Sequence, residues 1–345
     1  MEKAKKENKG FIGWFKDNWA HNSLFSTLFA LFVMVLIQSV VMWNNAGSFG
    51  GLFPKMRMAW LNILRNNAYA GIIALGMCFV IISGGIDLSV GSQLCALGAI
   101  LLYLIEPNFG LLLKIGMTGP LAYAAAIIIL LCLGCLLGLL NGSLIAFGKL
   151  PPFIATLGTM KIFRSVTQQL TKKFTPTVPA GFKAITSTKI NGQVILPIIY
   201  WAAIVIIMHI IFKKTAFGRQ TIAIGSNERA AKLSGINVNL TKRKIYSLCG
   251  VMCAIAAIIY VARIGSMDFA NAGSGYEMDA IAAVIVGGTA MSGGRGSVIG
   301  TFLGMLIIGV MNNILNSVGV PTFLCEAVKG AIIIFAVLLQ KKESV

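Results

Sequence analysis

The twenty residues from Leu24 to Trp43 contain no Asp, Glu, Lys or Arg, and the 27 from Leu121 to Phe147 contain none either. Lipid offers no partner to a backbone amide, so such a run is stable in a bilayer only as a helix, and roughly 20 residues cross it. Across the chain 57% of residues are apolar and 12% are charged, against about 25% charged in soluble domains. That composition cannot cover a water-facing surface. The expected fold is an all-α polytopic membrane protein.

Hydropathy places ten spans, at residues 24–43, 61–82, 87–105, 121–147, 153–170, 195–212, 244–262, 278–290, 298–315 and 324–340. The eighth is short and rich in glycine, which suits a broken or tilted segment. With both termini in the cytoplasm, the inner loops hold seventeen Lys and Arg and the outer loops eight, as the positive-inside rule requires. The net charge of +18 therefore speaks for membrane orientation and not for nucleic acid. Leu24–Trp43 is longer than the apolar core of a secretory signal, about 7–15 residues. Residues 1–23 are thus expected to be a cytoplasmic tail, 24–340 one transmembrane domain with a cytoplasmic loop at 213–243, and 341–345 a second tail. Residues 44–58 and 171–194 fall outside.

Motifs for covalent chemistry are sparse. A P-loop needs four residues between its glycines and a hydroxyl after its lysine, so that amides cradle phosphate and the hydroxyl binds magnesium. The nearest match, Gly142 to Lys149, has five residues between its glycines and ends in Leu150. Neither His21 nor His209 belongs to an HExxH motif, and no GxSxG elbow occurs. Cys132 and Cys135 form a CxxC inside an apolar span without a second pair, which reads as packed thiols and not a metal site. No metal and no cofactor is expected on this chain.

Two stripes of glycine recur at four-residue spacing: Gly134, Gly138 and Gly142 in the fourth span, and Gly296, Gly300 and Gly304 at the ninth. Small residues at this spacing let helix backbones approach closely. If spans two to five and seven to ten are repeats, the fourth and ninth correspond with opposite orientation, as in inverted-repeat transporters.

Polar residues interrupt the apolar runs at a few places. Ser83-Gly-Gly-Ile-Asp-Leu-Ser89 breaks the chain between spans two and three. Asp87 there either caps the following helix, where free amides favour a carboxylate, or meets solute, as an ionisable group at a helix break often does. Glu277 and Asp279 open the short eighth span in the same style, and four glycines between Gly287 and Gly294 close it. With Ser89, Asn141 and Thr156, these residues are the candidates for a translocation path. In the long inner loop, 227–234 reads as a short capped helix that stops at Gly235.

Four motifs in order, GGIDLSVGS at 84–92, NGSLIAFGKLPPFIATLGTM at 141–160, TAFGRQTIAIGSNERAAKLSGI at 215–236 and GYEMDAIAAVIVGGTAMSGGRGSVIGT at 275–301, resemble the permease subunits of bacterial ABC importers for ribose, galactose and related monosaccharides. The resemblance runs from about residue 60 onward. It implies a type II-like importer fold, a homodimer in the bacterial inner membrane, a partner ATPase with P-loop domains that holds ATP and magnesium, and an extracytoplasmic sugar-binding protein. It also implies that Gly225, Asn227, Glu228, Ala230, Ala231, Leu233, Ser234, Gly235 and Ile236 form the loop that meets the ATPase. The rival reading is an ion-coupled secondary transporter of a small polar solute. Few acidic residues lie deep in the spans, which disfavours a proton relay.

Overall fold

The computed structural model describes residues 23–46, 49–108, 110–172, 176–321, 324–332 and 334. Nearly all of both expected tails, and much of the tenth span, lie outside the described residues. In chain order the helices are α1 (Ser23–Ala46), α2 (Phe49–Ile82), α3 (Val90–Ile105), α4 (Leu111–Lys114), α5 (Gly119–Ala146), α6 (Pro152–Leu170) and α7 (Ala180–Ser187). After a two-residue hairpin, Lys189–Ile190 against Gln193–Val194, come α8 (Leu196–Lys214), α9 (Ala216–Ser226), α10 (Glu228–Leu233), α11 (Val238–Ile264), α12 (Tyr276–Val286) and α13 (Val298–Val318). Residues 324–332 are helical as well.

Among the described residues six helices are long and apolar enough to cross a membrane: α1, α2, α5, α8, α11 and α13, with α3 a shorter apolar helix. Burial sorts them. The apolar windows of α2 and α11 are 78% and 83% buried, whereas those of α1, α5 and α8 are 11%, 22% and 28% buried. α2 and α11 form the centre, and the others turn apolar faces outward, where lipid replaces protein. Phe79, Leu94, Trp201, Tyr246 and Phe182 are fully buried in the core between them. α1 is fastened to α13 by Gln38 Nε2, which donates to Asn313 Oδ1 at 2.8 Å.

The glycine stripes lie where helices touch. A Cβ on Gly138 would overlap the carbonyl oxygen of Tyr246 in α11, one on Gly134 would crowd that of Gly250, and one on Gly142 would lie 2.7 Å from Arg243 Cα. A Cβ on Gly300 or Gly304 would overlap the carbonyl of Gly287 or Ala283, and one on Gly296 would press on the Ile82 side chain.

The structure differs from the sequence expectation in four elements. α2 starts at Phe49, so most of the expected outer loop 44–58 is the beginning of a 34-residue helix that runs through Pro54. α6 occupies the fifth span but is too polar to count among the crossing helices, with Lys161, Arg164, Gln168 and Gln169 in its second half. α12 is shorter than the expected eighth span, 11 residues ending before Gly287. The inner loop holds two helices instead of one.

The loops gather at two ends of the bundle. At one, the Gly294 amide donates to the Ile82 carbonyl at 2.8 Å, and a Cβ on Gly225 would collide with that same carbonyl. The 83–89 break, the 215–236 loop and the 287–297 turn therefore meet there. At the other end Thr177 Oγ1 donates to Glu106 Oε1 at 3.1 Å, and Arg164 Nη1 donates to the Ala272 carbonyl at 2.7 Å.

Candidate functional site

A buried polar network fills the break between α2 and α3. Asp87, Ser89, Gln93 and Asn141 are each fully buried. Asp87 Oδ1 accepts from the Ser89 amide at 2.9 Å and from the Ser89 hydroxyl at 2.6 Å. Ser89 Oγ in turn accepts from Gln93 Nε2 and from Asn141 Nδ2, both at 2.8 Å. One hydroxyl thus spends its proton on the carboxylate and both lone pairs on amides, which is its full capacity. Asn141 Nδ2 also stands 3.5 Å from Asp87 Oδ2, and the Tyr246 hydroxyl donates to the Ile86 carbonyl at 3.2 Å. Asp87 sets the turn before α3 and leaves the first turn of that helix uncapped: Ser89 is its N-cap and makes no side-chain cap bond. Gln93 went unread in the sequence, although it lies one helical turn beyond Ser89.

A matching turn stands at the other end of α11. α2 ends at Ile82, Gly84 takes φ 81°, and three residues on Asp87 accepts the amide two residues ahead. α11 ends at Ile264, Gly265 takes φ 74°, and three residues on Asp268 Oδ1 accepts the Ala270 amide at 2.9 Å. A positive φ strains any residue with a Cβ, so both turns need their glycine. Asp268 Oδ2 accepts from Asn271 Nδ2 at 2.8 Å. These bonds, led by that of Asn271, hold the carboxyl below its ordinary range. A depressed carboxylate contributes its stabilisation above the ordinary range and loses it as pH falls through the lower folded value. This second turn was not read from the sequence, though Gly-x-x-Asp recurs in it.

The remaining path candidates bond elsewhere than in the Asp87 network. Asp279 Oδ1 is paired with Lys329 Nζ at 2.9 Å, and Lys329 also reaches Glu326 at 2.6 Å. Glu277 Oε1 accepts from the Gly275 amide at 3.3 Å, just before α12. Thr156 is buried in α6, its hydroxyl donating to the Pro152 carbonyl at 2.9 Å.

In the inner loop Asn227 caps α10, its side chain accepting from the Ala230 amide at 3.0 Å. Glu228 pairs with Lys242 at 2.7 Å. Ala230, Ser234 and Gly235 are exposed, and Leu233 is 90% exposed. Ala231, which the resemblance counts in the loop that meets the ATPase, turns inward. It is buried with Ile224 and Val238, against Ala223 and Ile236, in a small core of the loop's own. Among the described residues no group of three metal-ligating side chains occurs.

Comparison with known proteins places this geometry. Residues 59–337 match the family described as branched-chain amino acid transport system / permease component. The chain is 44% identical over 287 residues to the ribose import permease protein RbsC of Bacillus subtilis, spanning 82% of this chain and 85% of that one. To RbsC of Escherichia coli K12 it is 38% identical over 328 residues, 92% and 93% of the two chains. To the galactose/methyl galactoside import permease protein MglC of the same strain it is 40% identical over 289 residues, 81% and 85%. No solved structure matches significantly. A helical membrane bundle, aligned over four fifths or more of its length with import permeases, belongs to this family of transport-system permease components.

Proposed function

We propose that this chain is the membrane-spanning permease of an ATP-binding-cassette importer that moves ribose, galactose or a related monosaccharide. The observation that carries the reading is near full-length similarity to permeases named for ribose and galactose import. In this reading an extracytoplasmic binding protein delivers the sugar, two copies of the chain form one pathway, and a separate ATPase holds ATP and magnesium. The protein sits in the bacterial inner membrane, with ten spans and both termini cytoplasmic. Residues 24–340 act as one permease domain.

Three features support it. The matching turns at Asp87 and Asp268, at opposite ends of the bundle, fit a pair of inverted repeats, as does the packing of α5 on α11 and of α13 on α2. The 215–236 loop packs on the Ile82 carbonyl through Gly225, so force applied to exposed Leu233 has a short mechanical route to the Asp87 break. α6, with Thr156 near its start and amides near its end, is the polar helix expected beside a hydrophilic path.

The test is co-purification followed by transport. Affinity-tagged chain solubilised from its native membrane should bring down a two-P-loop ATPase, and proteoliposomes of that complex should take up labelled ribose or galactose only with internal ATP. Uptake driven by an ion gradient without ATP would favour the secondary-transporter reading instead.

A further inference from the structure

A cavity lies at the end of the bundle away from the 215–236 loop, between the last turns of α6 and the Asp268 turn. Its volume is about 920 Å³, within the range of about 300–1,000 Å³ usual for small-molecule sites. Ser165, Gln168, Gln169 and Lys172 face it from one side, and Asp268 and Phe269 from the other. The four α6-side residues recur at i, i+3, i+4 and i+7, which is one face of a helix. Ile162, Val166 and Leu170 form a separate stripe on the same helix and are 58%, 51% and 67% exposed. The polar stripe is therefore turned toward the cavity, while the apolar one is left for lipid or protein.

The walls are held in place. Arg164 Nη1 donates to the carbonyls of Ala272 at 2.7 Å and Ala270 at 3.4 Å, and Gln168 Nε2 reaches the Ala270 carbonyl at 3.4 Å. Each Asp268 oxygen accepts one bond from within its own loop and keeps a lone pair to spare.

We propose that this cavity is a sugar-receiving site, in which Gln168, Gln169 and Asp268 hydrogen-bond the hydroxyls of a monosaccharide lying against Phe269. The proposal rests on the importer reading above. Carboxylate and amide groups match adjacent hydroxyls because one accepts and the other both donates and accepts. Among the described residues one acid and one base, Asp268 and Lys172, line the cavity and balance in charge, which suits a neutral polyol. Met267, Ala270 and Pro176 complete an apolar part of the wall beside Phe269, against which a sugar ring lies while the amides and the carboxylate take its hydroxyls. Each bond formed replaces one to water and nets little, so the site holds its sugar briefly, as a step of transit requires.

The test uses the importer with its ATPase and binding protein in proteoliposomes, and compares labelled D-ribose, D-galactose and L-leucine. In Gln168→Ala and Asp268→Asn, uptake of the transported sugar should fall about fivefold or more, the loss of a bond or two. Binding-protein-stimulated ATP hydrolysis should stay within about twofold of wild type. Gln169→Ala, on an exposed face, repeats the measurement where folding is not at stake, and Ile162→Ala on the apolar stripe should transport normally. Unchanged uptake in all three cavity variants overturns the site, and so does a proportional fall of hydrolysis and uptake. ATP-driven leucine uptake lost in the variants overturns the sugar assignment. Wild type that moves no sugar with ATP sinks the importer reading itself and this site with it.

Discussion

Ser89 sits where three polar side chains depend on one hydroxyl, with Asp87, Gln93 and Asn141 all bonded to it. In Ser89→Ala these partners lose bonds in a buried site, at about 1–3 kcal/mol for each group left unsatisfied. The variant should unfold in detergent at a clearly lower temperature, followed by fluorescence-detected size exclusion. A midpoint equal to wild type would mean that the neighbours re-pair among themselves. Gly138 is sensitive for a different reason. The obstacle to a side chain there is the Tyr246 carbonyl, a backbone atom that no rotamer change removes. Gly138→Leu should part α5 from α11 at a cost of about 1–3 kcal/mol or more, with loss of folded protein and of transport. Normal transport by this variant would show that the α5–α11 approach is dispensable. Both positions could be singled out in the sequence, one as a polar interruption and one as part of a stripe. The Asp268 turn stands out less, because Asp268 belongs to no apolar pattern and the recurring Gly-x-x-Asp spacing gains its meaning only from the paired backbone angles and bonds.

At the scale of elements, the inner loop separates what the sequence shows from what packing adds. α10 was legible because Asn227 and Gly235 punctuate it. α9 was not, because Gly218 and Thr221 read as breakers when their burial against the bundle is unseen. α2 hides its first turns in another way: Gly50, Gly51 and Pro54 suggest a loop, yet the helix continues through them with most of these residues exposed. In α9 tertiary contact outweighs local propensity. Burial also divides Ala231 from Leu233 in α10. Ala231 packs inside the loop, so Ala231→Phe should overfill that core by about 1–3 kcal/mol and disorder the loop before any partner is met. Leu233 touches little and is 90% exposed, so Leu233→Ser should leave the fold and its melting temperature unchanged while weakening ATPase retention. Pull-down yield and protease sensitivity of the loop distinguish the two. If Leu233→Ser retains the ATPase at wild-type yield with normal stimulated hydrolysis, the contact lies elsewhere.

For the whole molecule, the bilayer-spanning class was legible from charge-free runs alone, whereas the count of crossings was not, since α6 and α12 depart from the simple pattern of a long apolar helix. α6 carries charges and amides along 19 residues, and α12 is 11 residues long; hydropathy marks both stretches, yet neither is a helix both long and apolar enough to cross. Orientation is better constrained. Between Lys183 and Lys232 the chain contains one helix long and apolar enough to cross, α8, and α11 then returns over 27 residues to Gly265, which lies beside the Lys183 side chain. Lys183 and Ser266 must therefore share one face of the membrane, and Lys232 and Ser226 the other. All four are exposed, so each can carry a reporter cysteine once the seven native thiols are replaced. By the positive-inside rule, the excess of Lys and Arg around 213–243 predicts that the second pair faces the cytoplasm. A membrane-impermeant maleimide should label positions 183 and 266 in intact spheroplasts, and positions 226 and 232 only in inverted vesicles. Labelling of 183 and 232 from the same side would remove α8 as a crossing helix, and with it the placement of the 215–236 loop opposite the Asp268 cavity.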